Sequence, residues 1–95
     1  MSAYVIADIH VKDAVAYESY KRSVEPTVTK FGGRFLARGG ATVVFEGEWK
    51  PSRVILLEFP DQAALEAWYR SPDYAPLLSQ RLDAANGSLI SVVGS

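Results

Sequence analysis

His10 is the single histidine of a 95-residue chain that contains no cysteine. An imidazole titrates near neutral pH, and a neighbouring carboxylate fixes its tautomer and steadies the imidazolium. His10 with Glu58 is therefore the candidate catalytic pair, an oriented general base. Asp8, two residues from His10, adds a polar group on the same strand face and is a candidate substrate contact. The alternative is a polar patch in which these groups only satisfy one another. Arg38 closes the stretch "RFLAR" ahead of Gly39 and Gly40. Its planar fork suits the carboxylate of a ligand, or else an ion pair with Glu46 or Glu58. Trp68 and Tyr74, with Tyr69 and Ser71-Pro72 between them, either line a small apolar substrate pocket or pack as core. Arg81 is placed to reach Tyr74 or Asp73, or to close that pocket. Gly39-Gly40 is no phosphate loop, because no G-x-G-x-x-G or lysine-serine pattern accompanies it. It is expected to supply positive φ or a bulge that bends the segment 34–48. Without cysteine, zinc-thiolate sites and thiol nucleophiles are excluded, and one histidine excludes a multi-histidine metal site. No metal and no cofactor are expected.

These residues need elements to hold them. "YVIADIHV", 4–11, alternates, with Val5, Ala7, Ile9 and Val11 on one face and Tyr4, Ile6, Asp8 and His10 on the other, which predicts a strand. Asp13 offers an N-cap to a helix reaching about Phe31, whose stripe is Tyr17, Tyr20, Val24, Val28 and Phe31. Pro26 is expected to kink it or to open a second helix, and Gly32-Gly33 to close it. Strands are expected over 34–38, 42–48, 53–59 and 88–93. "WKPS", 49–52, reads as a turn with Trp49 as an interface anchor, and Asn86-Gly87 as another turn. Asp61 caps a helix with Ala64, Leu65 and Trp68 inward. Ser71 caps a further one, with Pro72 at its first position and Tyr74, Leu77, Leu78 and Leu82 on its inner stripe.

The chain also repeats itself. A shift of 48 positions lays "DAVAYESYKRS", from Asp13, on "DQAALEAWYRS", from Asp61. Asp, Ala, Glu, Arg and Ser recur, and Tyr20 falls on Trp68. Two strand-helix-strand halves make a split βαβ, α+β, ferredoxin-like βαββαβ domain spanning 1–95. With the first and third strands taken as central and parallel, His10 and Glu58 become neighbours about 4.8 Å apart. They would lie on the sheet face without helices. That face is half apolar, so a second copy packing sheet to sheet is expected to cover it.

The stretches "GGRFLARGG", "FEGEW", "RVILLEFP" and "AWYRSPDYAPLLSQR" resemble the domain-of-unknown-function 1330 family across essentially the whole chain. Arg38, Glu58, Trp68, Tyr74 and Arg81 fall on its motif, whereas His10 lies outside it. That family is similar to the dimeric α+β barrel proteins, such as antibiotic-biosynthesis monooxygenases and muconolactone isomerases. The resemblance implies a ferredoxin-like protomer in a sheet-to-sheet homodimer and no settled activity.

Ten basic and 11 acidic residues give a formal charge of -1, which leaves no footprint for nucleic acid. No apolar run approaches the ~20 residues of a membrane span, and no signal-peptide pattern follows Met1, so a cytoplasmic protein is expected. The function expected is binding or converting a small organic molecule in a cleft. The alternative is a noncatalytic dimeric binding or structural module. An enclosed cavity reached by His10, Arg38 or Glu58 would favour an enzyme or a binding module, whereas saturation of these groups by one another would favour a structural module.

Overall fold

A computed structural model describes residues 1–95. The elements run β1 (Ala3–Val11), α1 (Ala14–Lys30), β2 (Arg34–Arg38), β3 (Val54–Phe59), α2 (Gln62–Tyr69), α3 (Ala75–Ala84) and β4 (Ala85–Val93). The strands form one sheet in the order β2-β3-β1-β4, with every pairing antiparallel. This is the ferredoxin-like α+β fold, its second helical unit divided into α2 and α3. The helices cover the face that carries Ala3, Val5, Ala7, Ile9, Leu57 and Phe59, all buried. The other face carries no helix, and the molecule is a two-layer slab of 35 × 32 × 16 Å. No helix is long and apolar enough to cross a membrane.

The internal repeat survives as capping chemistry. Asp13 accepts a hydrogen bond from the Ala16 N–H at 3.1 Å, and Asp61 accepts one from the Ala64 N–H at 2.8 Å. Each opens its helix in the same way. The expected strand direction, however, is reversed: β1 and β3 run antiparallel, with Ala7 opposite Ile55. Those two residues are themselves 48 positions apart, so the halves are related by a two-fold through that pair. Residues matched by the repeat then diverge from it in opposite directions. His10 and Glu58 each lie three residues beyond the axis, which sets them about 20 Å apart along the sheet. Glu58 faces Tyr4 and His10 faces Asn86. The predicted His10–Glu58 contact does not exist.

Other expectations shift for local reasons. α1 runs unbroken through Pro26. One N–H is lost to the helix there, and the buried stripe of Tyr17, Tyr20, Val24 and Val28 holds the rest in register. Residues 42–48 form no strand, having no neighbour to pair with, and Val43, Val44 and Phe45 stand exposed. β4 starts at Ala85 and takes Asn86-Gly87 into the ladder rather than turning. A Cβ on Gly87 would lie 2.0 Å from the Asp8 carbonyl oxygen, so only glycine fits there. Ser71 caps a short turn instead of α3. Its Oγ accepts from the Tyr74 N–H at 3.1 Å and donates to the Trp68 carbonyl at 2.8 Å. α3 begins after it, and its phase turns Arg81 inward and leaves Leu82 exposed.

Candidate functional site

The sheet's two faces divide the residues singled out from the sequence. On the bare face, both Asp8 oxygens are engaged by the loop ahead of β3. They accept from the Trp49 indole N–H at 3.0 Å and from the backbone N–H groups of Ser52 and Arg53 at 2.9 and 3.2 Å. The Trp49 bond, ahead of those backbone bonds, holds the Asp8 carboxyl below its ordinary value. His10 Nε2 lies 3.5 Å from Asp8, with the His10 side chain 54% exposed. Glu58 is tied to Arg34, at 2.6 Å from Nη2 and 2.8 Å from Nε. That pairing lowers the pKa of the Glu58 carboxyl. The carboxylates here are therefore committed to structural partners; Glu58 borders a shallow, open and mostly polar hollow of about 180 Å³, and His10 borders none.

Arg38 belongs to the other face, and a β-bulge puts it there. Simple alternation would give Arg34 and Arg38 one face and Phe35 the other. On β2, Phe35 pairs with Leu57 but Ala37 with Leu56, so two residues oppose one and Leu36 is the extra. Beyond the bulge the facing is inverted, and Arg38 joins Phe35 on the helix side. The bend expected at Gly39-Gly40 thus lies three residues earlier. Gly39 terminates the strand at φ +74, its N–H donating to the Val54 carbonyl at 2.9 Å. Arg38 pairs with neither Glu46 nor Glu58. Its Nη1 lies 3.6 Å from Glu25 of α1, its Nη2 donates to the Lys21 carbonyl, and its guanidinium rests 4.1 Å from the Phe35 ring centroid.

On this side, between helices and sheet, lies a cavity. It has about 30 Å³ of free room within an envelope of about 450 Å³ that opens to solvent. Eleven of its fifteen lining residues are hydrophobic, among them Val5, Ala7, Tyr20, Leu57 and Trp68. Arg38, Arg53, Lys21 and Arg81 supply the remainder. Trp68 is 1% exposed and stacks 4.3 Å from Tyr74, which is fully buried. Trp68 thus serves as both core and cavity wall, and Tyr74 stands behind it. The Tyr74 hydroxyl lies 2.9 Å from that of Tyr20 and accepts from Arg81 Nε at 3.3 Å, one of the alternatives expected of Arg81. The residues that sequence reasoning left unassigned are Arg53 and Lys21. Arg81 carries a legible signal: it is seven residues after Tyr74, on the same helical face.

Residues 2–95 match the family described as domain of unknown function, DUF1330. The chain belongs to the DUF1330 family. Among solved structures, the DUF1330 chain is similar to RPA0582, a protein of unknown function from Rhodopseudomonas palustris. Identity is 21%, covering 99% of this chain and 82% of that one, with a TM-score of 0.79. It is similar to a dimeric ferredoxin-like protein of unknown function from Jannaschia sp. CCS1, at 17% identity over 100% and 99% of the two chains, TM-score 0.68. It is also similar to SnoaB, a cofactor-independent oxygenase from Streptomyces nogalater, at 12% identity over 99% and 93%, TM-score 0.67. At these identities the likeness is one of fold. Comparison with curated proteins returns no match.

Proposed function

We propose that this DUF1330 chain is a homodimeric small-molecule-binding protein whose site is the helix-side cavity. The carrying observation is that cavity itself: a mostly apolar wall with a few convergent polar groups, the usual composition of an organic ligand's site. Arg38 lines it, although the cavity is open to solvent rather than enclosed. The free room of about 30 Å³ holds a water or two. An organic ligand therefore enters by displacing the rim side chains of Arg38 and Lys21, which are long and flexible. Glu58, Asp8 and His10 have no part in this site.

Dimerisation is supported by the uncovered sheet face and by the dimeric Jannaschia neighbour. Ile6, Leu56, Ile90 and Val92 share the bare face by strand register, and Ile90 and Val92 are exposed. A contiguous apolar surface of this kind normally meets a partner. SnoaB places cofactor-independent oxygenation on the same fold. Turnover by this chain is a separate matter from binding, and binding is what the cavity supports.

The test is a titration with small apolar probes such as toluene and indole, followed by methyl NMR. Shifts are expected at the methyls of Val24, Leu57 and Leu89, which line the cavity. Ala7→Leu, which fills the cavity from β1, should abolish them. Probe-induced shifts confined to residues around His10 or Glu58 would move the site to the bare face and end this reading.

A further inference from the structure

Four of the chain's ten basic residues line the cavity, and no aspartate or glutamate does. The chain as a whole carries a formal charge of -1, so this local excess of cations does not follow from composition. Two of the four are accounted for near the surface: Lys21 lies 3.7 Å from Glu18 and Arg38 lies 3.6 Å from Glu25. The other two have no carboxylate within ion-pair distance.

Arg81 is the sharper case. It is only 8% exposed, and its one side-chain hydrogen bond is from Nε to the Tyr74 hydroxyl. Its two terminal nitrogens make no hydrogen bond to protein and keep access to solvent. Burial, reinforced by Tyr74, pushes the Tyr20 hydroxyl further from ionising, so that ring is no counter-charge. Arg53 repeats the theme from the sheet side. Its Nε is buried without an acceptor, and its Nη2 reaches only the Arg38 carbonyl, at 3.4 Å. Its guanidinium lies 5.6 Å from the centroid of the Tyr17 ring, which also lines the cavity. Buried charges are ordinarily paired, because desolvating one without a counter-ion is costly. Two guanidinium groups facing one apolar cavity without an acid between them are half of an ion-pair site.

We infer that the cavity takes a small organic monoanion, a carboxylate on a flat apolar body such as an aromatic carboxylic acid, with Arg81 and Arg53 as the receiving cations. This rests on the cavity being the binding site. The apolar wall and Trp68 suit a ring, and an arginine fork matches a carboxylate in plane. A multiply charged phosphate fits poorly, since most of the wall offers no group to replace its water.

The experiment is isothermal titration of the intact protein with benzoate and with benzamide, its neutral counterpart of nearly the same shape. Benzoate is expected to bind at least about tenfold tighter, a difference of the size that charge-assisted hydrogen bonds supply. Arg81→Gln and Arg53→Gln should each weaken benzoate by about tenfold or more and leave benzamide nearly unchanged. Arg53 is only partly buried, so Arg53→Gln serves even if Arg81→Gln fails to fold. Equal affinity for the two ligands overturns the inference, as does benzoate binding that is unaltered in the folded arginine variants. In either case the cavity remains a site for neutral molecules. If benzoate, benzamide and toluene all leave the Val24 and Leu57 methyls unmoved, both the inference and the proposed function fall.

Discussion

Asp8 shows how a residue with the right chemistry for a site can be occupied otherwise. Its oxygens tie the loop of Trp49, Ser52 and Arg53 to the start of the β1–β3 pairing, and the Trp49 bond above all lowers its pKa from the ordinary 3.8. A carboxyl depressed in the folded state adds stability that is fully present above its ordinary value. That stability is lost as pH falls through the depressed one. Urea midpoints measured from about pH 5 down to about pH 2 should therefore fall less steeply in Asp8→Asn than in wild type. Identical slopes would refute the structural role. Gly39 and Gly40, adjacent and alike in sequence, separate in the same manner. Gly39 holds φ +74 with the Arg53 guanidinium pressed where a Cβ would stand, whereas nothing lies within 4 Å of a Cβ on Gly40. Gly39→Ala is expected to cost about 1–2 kcal/mol in chemical unfolding, and Gly40→Ala under about 0.5 kcal/mol. Comparable losses at both positions would contradict this account.

At the scale of elements, α1 and β2 carry the arrangement of the site. α1 supplies Tyr17, Tyr20, Lys21 and Val24 to the cavity from one face, although Pro26 interrupts its ladder on the exposed side. Tertiary burial of that stripe outweighs the local penalty. Pro26→Ala restores a helix hydrogen bond at an exposed position and is expected to raise stability by about 1–3 kcal/mol. A lower unfolding midpoint would mean that the ring itself packs against something. β2 acts through its bulge at Leu36, which inverts the facing beyond it and brings Arg38 to the helix side. The buried stripe of α1 is legible from residue spacing, because burial on a helix follows its period. The bulge is not, since "RFLAR" alternates on paper and the extra residue exists only against the Leu57–Leu56 edge of β3. α3 lies between these cases. Hydrophobicity favours Leu82 as the inward residue, while the seven-residue step from Tyr74 favours Arg81, and helix phase wins.

At the scale of the molecule, a slab with helices on one side leaves its other side to be explained. Ile90 and Val92 on that face are exposed, as are Phe45, at 91%, and Trp49 in the segment before β3. A two-fold partner packing sheet to sheet would bury the face, at a scale of about 800 Å² per protomer for a standard stable interface. Light scattering after size exclusion should give the mass of two chains, twice 10.4 kDa. Ile90→Asp, which sets a charge in the middle of the face, should shift the equilibrium toward monomer without loss of helical circular dichroism. A wild-type monomer at micromolar concentration would leave the face unexplained by self-association.

The sequence by itself determined the ferredoxin-like fold, the two aspartate caps, the inward stripe of α1 and the family, because each follows from local period, capping or motif. It also carried a 48-residue repeat, but not the direction in which the halves meet. Only the tertiary structure set β1 and β3 antiparallel about Ala7 and Ile55. That direction parts His10 from Glu58 and dissolves the catalytic pair the repeat implied. Only the structure, through the bulge and the phase of α3, turned Arg38 and Arg81 to the same cavity. Pairing direction and bulges are decided between strands, so no single stretch of chain records them. The cations that matter most here came together from elements far apart in sequence.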